Sequence, residues 1–169
     1  MSEQPDVGQD GTPDTASAAN PRTSMQQARR RARELALQGI YQWLLAGTSS
    51  TTIKHHLQAE NDDFASCDQD LLTTLLTGVI NNVDELRGHF EPMLSRPVSE
   101  LSPIEHAVLL IGSHELCHSL DTPYRVIINE AIELAKAYGG TDGHKFVNGV
   151  LDRTAARLRA DEVKTTRRR

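Results

Sequence analysis

The stretch SPIEHAVLLIGSHELCH, residues 102–118, decides the fold, because it predicts the most apolar helix of the chain. Ser102 followed by Glu105 makes a capping box, and Pro103 stands at the first helical position, so two signals mark the start of the helix. Residues 107–111 (AVLLI) are apolar without interruption. A helix that is apolar on every side has to be covered on every side. We therefore predict that this helix is the centre of the molecule.

Amphipathic helices are predicted before the central one. Ser24 with Gln27 makes a capping box that opens a first helix, and Gly47 is placed to end it. A short helix over 51–58 and a loop over 59–67 follow. Asp68 then opens a long helical pattern that continues through Leu86, with leucine, valine and isoleucine on a wide apolar face. Together these segments predict three helices on the N-terminal side.

Further helices are predicted after the central one. Thr122-Pro123 opens a helix that runs to Tyr138, where Gly139-Gly140 stops it. Asp142 is the expected cap of the last helix, which carries apolar residues at helical spacing up to Leu158. No convincing alternation of apolar and polar residues indicates a strand. The residues alone therefore predict an all-α chain, with about five to seven helices around a central one in a single domain.

The charge is unevenly distributed along the chain. The net charge is −5, yet two basic clusters stand out: ARRRARE at residues 28–34 and RRR at residues 167–169. Residues 1–23 are acidic, rich in Pro, Gly, Ser and Thr, and expected to be disordered. The longest apolar run is far too short to cross a bilayer, so no membrane partner is expected. Only two cysteines are present, which suits a reducing, cytoplasmic setting.

The segment HELCH, residues 114–118, matches the H-E-x-x-H signature of zinc hydrolases. A catalytic zinc needs a third protein ligand and a cleft open to substrate. No third histidine stands at the expected spacing, although Glu130 or Glu133 could be suggested as ligands. The segment also ends the most apolar helix. We favour polar residues that finish a buried helix, keep a zinc hydrolase as a remote alternative, and predict no catalytic residue, metal or cofactor.

The first basic cluster has two interpretations. Arg29, Arg30 and Arg33 stand at i, i+1 and i+4, so they share one side of a helix. Arginines near a helix N-terminus oppose the helix dipole, which breaks a local rule without an evident structural gain. Guanidinium groups suit phosphate and stacking on bases. From the cluster alone, RNA binding and a solvated helix face are equally open.

Three segments give the chain a family resemblance. ARRRARELALQGIYQWLLAG at 28–47, PYRVIINEAIELAKAYG at 123–139 and HKFVNGVLDR at 144–153 resemble, in that order and spacing, the NusB family of bacterial transcription antitermination factors. The likeness covers about residues 25–158. It implies an all-α fold of about seven helices in two small packed bundles, without catalytic activity. The expected division is a disordered acidic tail at 1–23, a helical RNA-binding domain at 24–160 and a basic C-terminal tail at 161–169.

The resemblance also implies partners. Members bind the boxA element of nascent RNA jointly with NusE, a small-subunit ribosomal protein. The complex joins RNA polymerase and other Nus factors in the cytoplasm and promotes processive transcription of ribosomal RNA operons. Some members form homodimers that hide the RNA surface. One alternative stays open, a helical interaction module that acts through NusE without binding RNA itself.

Site residues follow from the resemblance by position. The start of the first helix and the start of the last helix are the expected RNA-contacting regions, and the middle and later helices face NusE. Phe146 could stack on a base or pack in the core. The expected RNA contacts are Arg29, Arg30, Arg31, Arg33, Asp142, Lys145 and Phe146, and the expected NusE contact is Glu105.

Overall fold

The computed structural model describes residues 21–169, and within that range all regular structure is helical. This confirms the predicted all-α class. Short 3-10 helices lie between α2 and α3 and between α4 and α5. The α-helices of the described range are α1 (Pro21–Ala46), α2 (Ser50–Glu60), α3 (Gln69–Asn81), α4 (Val83–Phe90), α5 (Pro103–His118), α6 (Tyr124–Tyr138), α7 (Gly143–Leu158) and α8 (Ala160–Arg167).

Helix α5 is the centre of the molecule, as its sequence predicts. Its residues from Ala107 to Leu116 are all buried. It contacts α1 and α3 on one side and α4, α6 and α7 on the other. A Cβ added at Gly112 would lie only 2.8 Å from Leu151 Cδ1, so the absence of a side chain lets α7 approach closely.

The other helices form two groups that meet at α5. Helices α1, α2 and α3 contact one another, and helices α4, α6 and α7 pack on the opposite side. This arrangement matches the two small bundles that the resemblance implies. The continuous apolar core runs through both groups and includes Leu35 and Leu75 on one side and Ile127 and Val150 on the other.

Several predicted helix ends are confirmed. The Ser102 hydroxyl accepts a hydrogen bond from the Glu105 amide at 3.1 Å, and the Glu105 carboxylate accepts one from the Ser102 amide at 3.4 Å. Asp68 caps α3 by accepting from the Leu71 amide at 3.0 Å. Gly47 follows α1 with φ of +67°, a left-handed conformation that glycine adopts at low cost.

Two predicted helix boundaries are wrong. Ser24 lies inside α1, which includes Pro21, so it is not the N-cap. The long pattern after Asp68 is two helices, because the chain leaves helical geometry at Asn82, whose side-chain amide donates to the Gly78 carbonyl at 2.8 Å. The two errors have different causes: the Ser24 cap motif occurs within a longer helix, and the apolar spacing after Asp68 continues across the break at Asn82.

The two predicted tails are only partly described. Residues 1–20 of the predicted acidic tail lie outside the described residues, and residues 21–23 belong to α1. Most of the predicted basic tail at 161–169 is the helix α8, whose Val163 is buried. Within residues 21–169, no helix has both the length and the hydropathy that a membrane span requires.

Candidate nucleic-acid interface

A groove of about 440 Å³ runs between the N-terminal half of α1 and the start of α6. Arg29, Arg30 and Arg33 all line it, which confirms that they share one side of α1. On the α6 side it is bordered by polar and small residues, including Asn129 and Glu130. The groove therefore presents the arginine cluster next to a second helix rather than on an isolated surface.

Arg29 and Arg30 are the accessible cations of this groove. Their side chains are 52% and 59% exposed. Each is oriented by one acid, with Arg29 Nε 3.8 Å from Asp68 Oδ2 and Arg30 Nε donating to Glu130 Oε1 at 3.2 Å. Both pairs are open to solvent on the arginine side, although Glu130 itself is only 16% exposed, and ion pairs screened in this way contribute little stability. Both guanidinium groups can therefore exchange a carboxylate for a phosphate at small cost.

Arg33, which the sequence also predicts as an RNA contact, is buried. Its side chain is 7% exposed, and it donates to the Glu115 carboxylate from Nε at 3.0 Å and from Nη2 at 2.9 Å. Burial alone would lower the pKa of Arg33, but the hydrogen bonds and charge of Glu115 raise it above its ordinary value. The Arg33 guanidinium therefore pairs with a buried partner and forms part of the bottom of the groove.

The same ion pair explains the HELCH segment. Glu115, the glutamate of that segment, is buried and pairs with Arg33, so it is not placed as a general base. His114 is buried too, with its ring centroid 4.7 Å from that of His118, and burial followed by the His118 charge lowers its pKa to about 4. Within residues 21–169, no group of three or more His, Cys, Asp or Glu side chains is arranged to hold a metal ion.

Arg31 points away from the groove. Its Nε and Nη2 donate to Asp63 at 2.7 Å and 3.0 Å, and further bonds reach Asn61 and Glu34. The hydrogen bond that Arg31 donates to Asp63 is the main cause that raises the pKa of Arg31. This arginine ties α1 to the loop after α2, and the structure therefore separates it from Arg29 and Arg30.

The second predicted region lies at the start of α7. Asp142 and Lys145 are both exposed, with Lys145 Nζ 3.5 Å from Asp142 Oδ1. Phe146 is half-buried against the core, and the Arg96 guanidinium carbon lies 4.6 Å from its ring centroid. Of the two expected roles for Phe146, its half-buried position beside Arg96 favours packing.

Glu105 joins this second region from α5. Besides closing the capping box, its carboxylate accepts from Arg96 Nη2 at 2.9 Å. The result is a sequence of contacts from Glu105 through Arg96 to Phe146. Among residues 21–169, no hydrogen bond or ion pair links this region to the arginines of the groove.

The pairing roles of three residues at these sites are not predicted from the sequence. Asp68 both caps α3 and pairs with Arg29, Glu130 pairs with Arg30, and Arg96 covers Phe146. Glu130 and Arg96 stand 100 and 50 positions from their partners. Local spacing gives no signal for such pairs, because only the packed helices bring them together.

The fold and the site define a small all-helical protein, built on one buried helix, with a basic groove beside its first helix. The NusB family model matches residues 30–156, and the chain belongs to that family.

Similar proteins cover most of the chain. A protein of Azoarcus sp. (strain BH72) named transcription antitermination protein NusB is 61% identical over 144 residues, which are 85% of this chain and 93% of that protein. The structure of T. maritima NusB matches with a TM-score of 0.65 at 30% identity, covering 75% of this chain and 89% of that one. A chain from a crystal structure of antitermination factors NusB and NusE in complex with dsRNA matches with a TM-score of 0.67 at 25% identity, covering 78% and 98%.

Proposed function

We propose that this protein is a transcription antitermination factor that binds boxA RNA jointly with NusE and promotes processive transcription of ribosomal RNA operons. The name of the 61%-identical relative supports the function, and the solved complex supports the two kinds of partner. The observation that carries the proposal is the groove with Arg29 and Arg30 exposed beside α6. Guanidinium groups in such a groove suit the phosphates and bases of single-stranded RNA.

The protein acts by binding and not by catalysis in this proposal. Its bound complex joins RNA polymerase and other Nus factors in the cytoplasm, and a homodimer that covers the groove is a further expected state. Glu105 is the proposed contact with NusE, supported by Arg96 beside it. Asp142 and Lys145, both exposed at the start of α7, are the proposed second RNA contact.

The division of labour among the arginines is part of the proposal. Arg29 and Arg30 contact phosphate, because they are exposed and weakly paired. Arg33 orients the groove through Glu115, and Arg31 holds α1 against the loop after α2. Strong pairing, together with burial in the case of Arg33, makes both of these residues structural supports for the two that bind.

The test is RNA binding by the variant Arg29→Ala with Arg30→Ala, measured over a range of salt concentrations. If both side chains contact phosphate, binding weakens and the slope of log K against log salt flattens by about 1.4, since each contact on a single strand contributes about 0.7. The matched control is Lys54→Gln, which removes a cation from α2, where Lys54 donates to Thr73 away from the groove.

The outcomes separate the candidates. Unchanged affinity and slope in the double variant would remove Arg29 and Arg30 from the RNA site. Binding of NusE together with negligible RNA binding by the unmutated protein would instead favour the helical interaction module.

A further inference from the structure

Helix α8 lies outside the residues that match the family model and carries a cluster of cations. The match ends at residue 156, and α8 with the residues after it includes Lys164, Arg167, Arg168 and Arg169, all exposed. The sequence alone gives this cluster no role. Its position in the fold suggests one, because α8 is attached to the start of α6, and α6 forms one wall of the groove.

Arg159 fixes the start of α8. The side chain is buried and donates to the carbonyl groups of Leu116 at 2.9 Å and Ser119 at 2.8 Å, at the end of α5, and to that of Thr122 at 2.6 Å, in the turn before α6. The last carbonyls of a helix have no partner within it, so one guanidinium group satisfies several of them. The direction in which α8 leaves α7 is therefore set by the turn between α5 and α6.

Glu162 and Val163 complete the attachment. One Glu162 oxygen accepts from the Tyr124 amide at 2.9 Å, at the start of α6, and the other accepts from Arg159 Nη1 at 3.1 Å. Val163 is buried beside them. These contacts hold α8 next to the first turn of α6. Both Glu162 oxygens are occupied by them, one by the Tyr124 amide and one by Arg159.

The attachment creates two recesses that share the exposed Arg125 of α6. One is lined by Arg125 with Thr165, Thr166 and Arg169. The other is lined by Arg125 with Asn129, Asn148 and Arg167. Arginine forks and side-chain amides are groups that hydrogen-bond phosphate and sugar oxygens.

The second recess adjoins the arginine groove at Asn129. Asn129 lines both, so Arg29 and Arg30 lie along one side of α6 and Arg125 and Arg167 along the other. A chain of phosphates that leaves the groove across Asn129 would meet these cations next.

Acidic side chains reduce the positive charge of this surface without cancelling it. Asp152 lies 3.5 Å from Arg167, in an exposed pair, and Asp161 lines the first recess. Glu162 is already paired with the buried Arg159. Three arginines therefore face two available carboxylates, and an exposed pair such as Arg167 with Asp152 exchanges readily for phosphate.

We propose that Arg125, Arg167 and Arg169 form a second phosphate-binding segment, which holds single-stranded RNA as it extends beyond the element bound in the groove. This inference rests on the proposed RNA binding at Arg29 and Arg30. It assigns α8 to the flanking RNA backbone and not to sequence recognition, because the recesses offer cations and amides but no exposed aromatic platform.

The test compares a minimal boxA RNA with the same RNA extended by about ten unpaired nucleotides at either end, a length in the range of single-strand site sizes. We expect the unmutated protein to bind one extended RNA more tightly than the minimal one, on the order of tenfold at ~0.1 M salt. The variant Arg167→Gln with Arg169→Gln should lose that gain and bind the minimal RNA as before. Its salt slope on the extended RNA should flatten by about 1.4.

Lys164→Gln is the matched control, since Lys164 is an exposed cation on α8 that lines neither recess. If Lys164→Gln loses as much of the affinity gain for the extended RNA as the double variant does, the gain depends only on net charge, and the proposal is overturned. No gain from either extension would overturn it too, provided that Arg29→Ala with Arg30→Ala still weakens binding of the minimal RNA. If that groove variant binds normally, the failure is that of the proposed function itself.

Discussion

Neighbouring arginines of α1 have different environments, which depend on partners far away in the sequence. Arg30 is exposed, whereas Arg33, one turn later, is buried against Glu115. The sequence predicts correctly that they share one side of the helix. It could not predict that Glu115, 82 positions away, would hold Arg33, because that pairing depends on how α1 crosses α5.

Replacing Arg33 by methionine tests its structural role. Arg33→Met leaves the Glu115 carboxylate buried without its main partner, and we expect the free energy of unfolding to fall by about 3–5 kcal/mol. Urea denaturation measures the change, with Arg30→Ala as the exposed control, expected to cost about 1 kcal/mol or less. Arg33→Met with Glu115→Leu should recover much of the loss. A loss below about 1 kcal/mol in Arg33→Met would contradict a buried, stabilising pair.

Glu130 offers a prediction of the opposite sign. Its carboxylate pairs with Arg30 and lies 4.0 Å from Arg33 Nη1. Glu130→Gln removes the acid that competes with phosphate for Arg30, so RNA should bind roughly two- to fivefold more tightly at low salt. The measurement is the dissociation constant of boxA RNA at low and high salt. Weaker binding would instead mean that Glu130 holds Arg30 in its binding orientation.

His114 gives stability a defined pH dependence. Burial, and then the neighbouring His118, lowers its pKa from 6.5 to about 4. Between these values the unfolded chain binds a proton here that the folded chain does not, so stability falls as the pH drops through this window. The expected contribution is roughly 2–3 kcal/mol, complete near pH 4.

Unfolding measured at pH 7 and pH 4.5 checks this contribution. In His114→Gln the difference in unfolding free energy between the two pH values should shrink, while the part due to His106 remains, because burial and the Arg87 charge lower that pKa to about 4 as well. If the difference in unfolding free energy between pH 7 and pH 4.5 is the same in His114→Gln, His114 does not contribute to the pH dependence of stability.

At the scale of the helices, caps were predictable and breaks were not. The capping box of α5 and the Asp68 cap of α3 depend on residues three positions apart, so the sequence contains the whole motif. The break at Asn82 interrupts a pattern whose apolar spacing continues on both sides. The sequence predicts a basic tail at 161–169, where Val163 is the one apolar residue. The attachment of α8 depends on carbonyl groups near residues 116–122, which local spacing does not reveal.

Arg159 is therefore expected to control the order of α8. Arg159→Met removes the hydrogen bonds to the end of α5, and we expect a loss of about 2–4 kcal/mol, since it leaves several buried carbonyls without partners. Amide hydrogen exchange should increase in α8 more than in α7. The control is Arg157→Met, at an exposed arginine two residues earlier. It should change neither the free energy of unfolding nor the hydrogen exchange of α8. Exchange that is uniform across both helices would contradict a local anchor.

At the scale of the whole molecule, the central helix fixed most of what the sequence could predict. One fully apolar helix among amphipathic ones leaves a bundle around it as the solution, and the structure has that arrangement. The basic groove was also predictable in part, because its arginines are adjacent in sequence. Its second wall, from α6, was not, since the contact between α1 and α6 exists only in the packed fold.

The most direct test of antitermination-type RNA recognition is a salt titration of binding to a boxA RNA and to a scrambled RNA of the same length, each with and without NusE. We expect a preference for boxA that increases when NusE is added, and affinities that fall with salt because phosphate contacts release counterions. Equal, weak and salt-sensitive binding to both RNAs, unaffected by NusE, would contradict the proposed function and leave a helical protein with a basic groove.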